Sequence, residues 1–205
     1  MLDTRGFDLW ADGYDASVGL SDEKNTYPFA GYKKVLGNIF RKIMEKQNAV
    51  VLDIGFGTGT LTSKLYEYGC TVYGQDFSQK MIESAMEKMP GAHLYQGDFS
   101  QGLVEPLNRQ SYDFIVATYS LHHLTDGQKI AFLRTLLDRL KVGGRILIGD
   151  IAFATREELE KCRLAAGEEW DEEEIYFVAD EWKDVFLSLY FEPVSHCADI
   201  LTLAP

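Results

Sequence analysis

Basic residues are scarce in this chain. Its 205 residues include 20 lysines and arginines against 32 aspartates and glutamates, so the formal net charge is −12 and the isoelectric point lies near 4.7. Proteins that grip a phosphate backbone do so largely through clustered Lys and Arg, which displace counterions. The composition therefore predicts that nucleic acid is not a partner.

Long apolar runs are also missing. No stretch reaches the roughly 20 apolar residues that a membrane span requires, and the opening residues Met-Leu-Asp-Thr-Arg lack the apolar core of a secretion signal. We therefore expect a cytoplasmic protein with no membrane partner.

Cysteine is rare, with three residues at positions 70, 162 and 197. An odd number without the short spacings of metal-binding motifs favours neither a disulfide framework nor a zinc site. Cys70, Cys162 and Cys197 are expected to be ordinary reduced thiols, and no metal ligand is predicted.

The most informative segment present is Val50-Val51-Leu52-Asp53-Ile54-Gly55-Phe56-Gly57-Thr58-Gly59-Thr60-Leu61, an apolar strand that leads through three alternating glycines into a helix. Glycines at such a turn permit positive φ and let a ligand approach the backbone, while the first helical amides point outward as donors. The dinucleotide pattern would need a third glycine at position 60, which is Thr here. The loop alone leaves NAD, FAD and another nucleoside cofactor open.

A second strand pattern, residues 71–75, ends at Asp76. An acidic residue at this distance after the glycine loop is typical of a ribose site, because a carboxylate can accept hydrogen bonds from two hydroxyls. A third strand pattern ends at Gly97-Asp98-Phe99. Asp98 at that sheet edge could contact the ligand or merely cap the following turn.

Together these residues resemble the Rossmann-like, class I methyltransferases that use S-adenosylmethionine and release S-adenosylhomocysteine, and the resemblance spans nearly the whole chain. It implies that residues 53–59 hold the methionine part, that Asp76 binds the ribose and that Asp98 lies near the adenine amine. The opening segment Trp10-Ala11-Asp12-Gly13-Tyr14-Asp15 is similar to that of small uncharacterised bacterial methyltransferases. The implied cofactor-binding residues are Tyr14, Asp53, Gly55, Gly57, Thr58, Gly59, Asp76, Phe77, Asp98, Phe99 and Thr118.

Strand and helix patterns alternate along the chain, which predicts an α/β fold with a mostly parallel sheet and helices on both faces. The resemblance implies seven strands with an antiparallel last strand. The length and the 46% hydrophobic content suit one domain over residues 1–205. We divide it into an N-terminal lid segment and helix (1–46), a cofactor-binding core (47–150) and a C-terminal part (151–205) that completes the sheet and forms the substrate side.

Several elements are predicted with bounds. Helical spacing of apolar residues begins at Tyr32, and Ser78 is expected to cap a helix whose buried stripe comprises Met81, Ile82, Ala85, Met86 and Met89. Strand five is expected over residues 145–150. Helices are expected near residues 155–169 and 179–190, and the last two strands near 192–196 and 199–203.

Methyl transfer of this kind is an in-line displacement at a sulfonium that is already activated, so positioning matters most. His122, just after strand four, is our candidate general base because imidazole titrates near neutral pH. Asp150, at the end of strand five, is a second candidate catalytic residue. Each could instead have a structural role: His122 could cap or pack the turn, and Asp150 could fix the following loop.

Aromatic residues are concentrated before the first strand, at Trp10, Tyr14, Tyr27, Phe29 and Tyr32. They could form a lid over a cationic cofactor, which gains about 0.5–2 kcal/mol at a ring face. Alternatively they pack the first helix against the sheet.

The resemblance also bears on the substrate. Residues 117–120, Ala-Thr-Tyr-Ser, lack the Pro-Pro motif of adenine-N6 enzymes, no cysteine follows a proline as in cytosine-C5 enzymes, and a magnesium-binding acidic pair is missing. We expect metal-independent methylation of a small molecule by a monomer or homodimer.

A non-catalytic S-adenosylmethionine sensor and an NAD-dependent oxidoreductase remain as alternative functions. The acidic run at residues 168–174 is either a solvated loop or a border of the substrate entrance.

Overall fold

The computed structural model describes residues 24–205, which build one sheet covered by helices on both faces. Its strands are β1 (Val50–Ile54), β2 (Thr71–Asp76), β3 (His93–Gln96), β4 (Tyr112–Thr118), β5 (Leu140–Phe153), β6 (Phe177–Val178), β7 (Tyr190–Glu192) and β8 (Ala198–Leu203). Their order is β3-β2-β1-β4-β5-β8-β7, with β6 beside the end of β5. The first five strands pair in parallel, whereas β8 runs antiparallel to β5 and β7. The predicted fold class is confirmed.

Seven α-helices lie within residues 24–205, three of which begin at a capping side chain. They are α1 (Tyr32–Met44), α2 (Thr60–Glu67), α3 (Gln79–Lys88), α4 (Glu105–Asn108), α5 (Asp126–Leu137), α6 (Arg156–Ala166) and α7 (Ala179–Trp182). The Ser78 hydroxyl accepts a hydrogen bond from the Met81 amide, as expected, and Thr125 and Gln128 form a capping box for α5. Within residues 24–205, no helix combines the length and the apolar character that a membrane crossing needs.

The core has two layers because successive strand residues face opposite sides of the sheet. On one side Val51 and Val116 pack with α1, α2, α3 and α6. On the other side Leu52 and Ile115 pack with α4, α5 and α7. The carboxyl ends of β1, β2, β4 and β5 are left at one edge, which is where ligands of such sheets bind.

Strand β5 is much longer than the predicted 145–150. It begins at Leu140. Its pairing with β4 shifts from Tyr112–Leu140 to Phe114–Arg145, so Gly143 and Gly144 lie in a β-bulge. A Cβ on Gly144 would lie 2.9–3.1 Å from three backbone carbonyl oxygens. Gly143 and Gly144 therefore lie inside the strand, where the close backbone approach requires glycine at 144 and a φ of +78° favours it at 143.

The C-terminal elements differ from the prediction. The helix expected over 179–190 ends at Trp182, whose carbonyl accepts the amide hydrogens of both Val185 and Phe186 in a turn. Beyond this turn, Ser188 Oγ donates to the Ala204 carbonyl at 2.5 Å. The strand expected at 192–196 is instead Tyr190–Glu192, since Pro193 has no amide hydrogen to continue it. Sequence patterns gave no sign of the two-residue strand β6.

The exposure of Met86 also differs from the prediction. It is 48% exposed, whereas Met81, Ala85 and Met89 are buried. These three recur every fourth residue, and position 86 lies about 100° around the helix from Ala85. The buried stripe is therefore narrower than predicted.

Candidate active site

The glycine loop adopts the backbone conformation that its sequence predicts. Gly55, Gly57 and Gly59 have φ of +69°, +55° and +76°, a region that side chains disfavour. A Cβ on Gly55 would lie 2.5 Å from the Cβ of Ser120. At Gly57 a Cβ would meet no described atom within 4 Å, so this glycine faces open space. A ligand could lie against the main chain there.

Beside the loop is a shallow depression that contains several predicted site residues. It is lined by Tyr32, Asp53, Gly55, Phe56, Gly57, Thr58, Thr60, Leu61 and Thr118. The enclosed part measures only about 20 Å³, so a nucleoside would have to extend beyond it along the strand ends.

Asp53 is the buried acid of this depression. The Thr62 hydroxyl donates to its Oδ2 at 2.5 Å, while Oδ1 has no hydrogen-bond partner among residues 24–205. Burial raises the pKa of Asp53 to about 7. A buried acceptor without a donor is costly, and a cationic ligand group would satisfy it. The cofactor's ammonium group is chemically suited to this position.

Asp76 joins the end of β2 to the glycine loop. Its Oδ2 accepts the Gly57 amide hydrogen at 2.9 Å and its Oδ1 accepts that of Ser78 at 2.9 Å. The predicted ribose acceptor therefore also holds the loop in shape. Phe77, the next residue, is half-buried, and the Gln96 amide group donates to its carbonyl at 3.2 Å.

Asp98 and Phe99 follow β3 as expected. Asp98 is exposed and accepts the Ser100 amide hydrogen at 2.8 Å, which caps a short 3-10 turn. The alternative capping role is thus observed, and contact with adenine remains a prediction. Phe99 is buried near Gly55 and stacks on Phe132 at 6.2 Å. Tyr14 and Trp10 lie outside the described residues.

The aromatic residues of the N-terminal side divide into two groups. Tyr32 lines the depression and packs against Tyr119, with ring centroids 5.0 Å apart, and Phe29 packs against both. Tyr27 instead stacks on Trp170 at 5.1 Å. Tyr32 therefore lines the predicted ligand site, whereas Tyr27 packs against Trp170.

The two predicted catalytic residues lie together. His122 Nδ1 is 2.5 Å from Asp150 Oδ1, and both side chains are buried. Asp150 also accepts the amide hydrogens of Leu121 at 3.1 Å and Ile151 at 2.8 Å. One carboxylate thus orients the ring and fixes the turn that carries it. This turn follows Thr118, which lines the depression.

On its other side His122 faces residues that sequence reasoning did not single out. Its Nε2 is 3.4 Å from Glu174 Oε1, and the Tyr176 hydroxyl donates to Glu174 Oε2 at 2.8 Å. The hydroxyls of Tyr176 and Tyr27 are hydrogen-bonded in turn. Glu174 ends the acidic run at 168–174, and nothing in its local pattern distinguished it from its solvated neighbours. We call His122, Asp150, Glu174 and Tyr176 the histidine cluster.

Comparison with known proteins agrees with this architecture. Residues 51–144 match a family described as a methyltransferase domain. A protein of Anoxybacillus flavithermus named an uncharacterized methyltransferase is 42% identical over 75% of this chain and 69% of its own length. The chain belongs to this methyltransferase family. A Geobacillus relative with the same description is 39% identical over 85% of the chain and 78% of its own length.

Solved structures share the fold of this methyltransferase. A DhpI–SAH complex has a TM-score of 0.72 at 18% identity, covering 98% of this chain and 94% of its own. Magnesium protoporphyrin IX methyltransferase from Synechocystis with bound SAH has a TM-score of 0.67 at 18% identity, covering 86% and 85%. The predicted class, a Rossmann-like S-adenosylmethionine-dependent methyltransferase, is confirmed, and this family membership counts against the NAD-dependent oxidoreductase.

Neighbouring charges and burial shift the pKa values of the titratable groups in the histidine cluster of the methyltransferase. Burial alone would lower the pKa of His122, but the charge and hydrogen bond of Asp150 outweigh it, so the pKa lies above its usual value. Burial would likewise raise the pKa of Asp150, yet His122 and the Ile151 amide hold it below its usual value. Burial raises the pKa of Glu174. The His122–Asp150 pair is therefore an ion pair over part of the pH range.

His123 differs from its neighbour. Burial and the charge of His122 lower its pKa to about 3, so it is neutral at physiological pH. One ligating atom each from His122, His123 and Glu174 lie within 4.8 Å of one another. This set has two imidazoles and one carboxylate, whereas Mg²⁺ prefers oxygen ligands. It fits a transition metal better than magnesium.

Proposed function

We propose that this methyltransferase transfers the methyl group of S-adenosylmethionine to a small-molecule acceptor by metal-independent in-line displacement, with His122 taking the acceptor's proton. The observation that carries the proposal is the buried His122–Asp150 pair on the turn after β4, next to the strand ends that hold the glycine loop. Asp150 holds the imidazole in one orientation, as a general base requires.

Cofactor binding is proposed to follow the sequence prediction. The methionine ammonium pairs with Asp53 Oδ1, the glycine loop lies against the methionine and ribose, Asp76 accepts from the ribose, and Asp98, Phe77 and Phe99 surround the adenine. Tyr14 and Thr118 complete the set. The support comes from the unpartnered Asp53 oxygen and from the open face of Gly57.

In this proposal Asp150 is a positioning residue and His122 is the catalytic base. With Asp150 ionised, Nδ1 carries hydrogen, which leaves Nε2 as the atom that accepts the proton. A base with a raised pKa binds the transferred proton more strongly but is active only when it starts deprotonated. Methyl transfer should therefore increase as pH rises through the pKa of the cluster.

A small-molecule acceptor is supported by the net charge of −12, which opposes nucleic acid. One structural neighbour is named for a small acceptor, magnesium protoporphyrin IX. Independence from Mg²⁺ is supported by the His122, His123 and Glu174 set, which offers two imidazoles where Mg²⁺ prefers oxygen ligands.

A second function has one observation in its favour. Because His122 Nε2 faces Glu174 rather than an open cavity, the cluster could serve only to lock the acidic segment onto the turn after β4. A non-catalytic sensor of S-adenosylmethionine would need the cofactor site and not a base. The two functions share the cofactor and differ in product formation.

The test begins with calorimetric titration of the protein by S-adenosylmethionine, S-adenosylhomocysteine and NAD. We expect micromolar binding of the two sulfur compounds alone. Transfer of labelled methyl groups to a metabolite extract is then measured with and without EDTA, for the wild type, His122→Gln and the control His93→Gln, which alters an exposed histidine on β3.

Transfer that survives EDTA and is lost only in His122→Gln supports the proposal. Transfer that needs an added divalent metal contradicts metal independence. Tight cofactor binding with no transfer to any fraction favours the sensor.

A further inference from the structure

Two cysteines and a histidine meet at the C-terminal end of the fold. Cys162 lies on α6, while His196 and Cys197 lie in the turn between β7 and β8. One ligating atom of each lies within 4.8 Å of the others. We propose that Cys162, His196 and Cys197 form a binding site for a thiolate-preferring metal cation of the Zn²⁺ class. We call it the thiol site.

The distances suit such an ion. Zn²⁺ binds Cys sulfur at about 2.3 Å and His nitrogen at about 2.0–2.1 Å, so ligands of one tetrahedral ion lie roughly 3.4–3.8 Å apart. Ligating atoms within 4.8 Å reach this spacing by small side-chain rotations. Two thiolates and one imidazole are a ligand set that selects zinc-like or softer ions over Mg²⁺ and Ca²⁺.

Hydrogen bonds within the protein fix both segments of the thiol site, the helix that carries Cys162 and the turn that carries His196 and Cys197. Cys162 lies within a helix whose N-terminus is capped by Thr155, which accepts the Glu158 amide hydrogen at 3.3 Å. In the other part, Ser195 Oγ accepts the amide hydrogens of Cys197 at 3.3 Å and Ala198 at 2.9 Å. A preorganised turn lowers the entropy that binding must overcome.

The turn has a second anchor. Asp199 Oδ1 accepts the amide hydrogens of Val194 at 2.6 Å and Ser195 at 3.3 Å. These bonds lock the backbone on both sides of His196 and Cys197, so the two adjacent ligands keep their orientation toward α6.

A cavity of about 430 Å³ adjoins the site. Cys162 and His196 line it, together with Phe153, Ala154, Glu158, Lys161, Ala165, Phe191, Pro193, Ser195 and Asp199. Three protein ligands leave one position of a tetrahedral ion, and this cavity supplies the space for water there. None of its lining residues belongs to the histidine cluster or the depression beside the glycine loop.

The test measures Zn²⁺ binding by competition with a chromogenic chelator, using reduced protein without a histidine tag. Because the His122–His123–Glu174 set could also hold zinc, all proteins carry His123→Ala. The variants are Cys162→Ser and His196→Ala, and the matched control is Cys70→Ser, which alters a buried thiol outside the site. The exposed His196 can be replaced without opening a core cavity.

We expect one equivalent of Zn²⁺, binding at least tenfold weaker in both variants, and unchanged binding in the control. Co²⁺ should give a thiolate charge-transfer absorption that Cys162→Ser abolishes. Absence of tight zinc binding, or equal binding in His196→Ala and its parent, would overturn the proposal. So would a Cys162–Cys197 disulfide that forms in air equally fast with and without zinc, since that identifies a redox pair instead.

Discussion

Asp150 Oδ1 lies 2.5 Å from Nδ1 of His122, and the same carboxylate accepts the amide hydrogen of Leu121. Strand β5 thereby fixes the loop that follows β4. Asp150 lies three residues before the end of this strand at Phe153, not at its end as the sequence predicted. Because the pKa of His122 is raised and that of Asp150 is lowered, their attraction contributes to folding stability. The contribution is largest between about pH 4 and 6.5, and it fades as pH rises through the pKa of His122 or falls through that of Asp150.

Asp150→Asn should lower the pKa of His122, because burial is then opposed only by the more distant carboxylate of Glu174. An NMR titration of the imidazole protons measures this directly. Glu174→Gln should give a smaller decrease, since Glu174 is farther away at 3.4 Å. The exposed-surface control Asp180→Asn should leave the pKa unchanged. Equal pKa values in the wild type and Asp150→Asn would remove Asp150 from its positioning role.

Cofactor affinity should depend on the protonation of Asp53. Its pKa of about 7 in the free protein means that the carboxylate, which pairs with the ammonium of S-adenosylmethionine, is largely protonated below neutral pH. Affinity should therefore increase from pH 6 to pH 8, measured by calorimetry. In Asp53→Asn it should be weak and flat over this range.

Asp53→Asn should also change stability. A carboxyl whose pKa is raised by folding destabilises the folded state as pH rises from about 4 to 7. Above pH 7 the unliganded variant should therefore be more stable than the wild type, by roughly 1–3 kcal/mol in urea unfolding. A less stable variant at pH 8 would show that the buried charge is better solvated than the contacts of Asp53 indicate.

Asp76→Ala should weaken S-adenosylmethionine binding at least tenfold and also reduce stability by about 1–3 kcal/mol, because the Gly57 and Ser78 amides lose their acceptor. Ser78→Ala is the matched control. It removes the cap of α3 and should reduce stability by about 1 kcal/mol without weakening binding. If both variants bind the cofactor normally, the ribose site lies elsewhere.

Gly57→Ala should abolish or strongly weaken cofactor binding while the protein still folds. Its Cβ meets no described atom within 4 Å, so it would occupy the space where the ligand lies. The control Gly143→Ala also places a Cβ at a positive φ, +78°, with open space around it, outside the depression. Calorimetry and thermal unfolding of both variants separate the backbone strain, which they share, from the loss of binding. Equal affinities would exclude close contact between ligand and loop.

Local patterns were sufficient where neighbouring residues decide the conformation. The run from Val50 to Thr60 specified a strand, a positive-φ loop and a helix, and Ser78 specified the cap of α3. Patterns failed where distant groups decide. The helix predicted at 179–190 ends at Trp182 and is followed by a segment in which Ser188 bonds to the distant Ala204 carbonyl. Met86 is exposed because the neighbours of α3 cover only one face.

The sequence by itself determined the alternation of strands and helices, the glycine loop and the acids carried by β1, β2 and β5, because each depends on spacing within a few residues. Only the tertiary structure decided that Glu174 reaches His122 and that Cys162 meets His196 and Cys197. Such contacts join segments far apart in the chain. The packing of α6 on the sheet beside the antiparallel β8 brings the two cysteines together, and the Ile175 amide bonds to the His122 carbonyl next to Glu174. No periodicity in the sequence encodes these contacts.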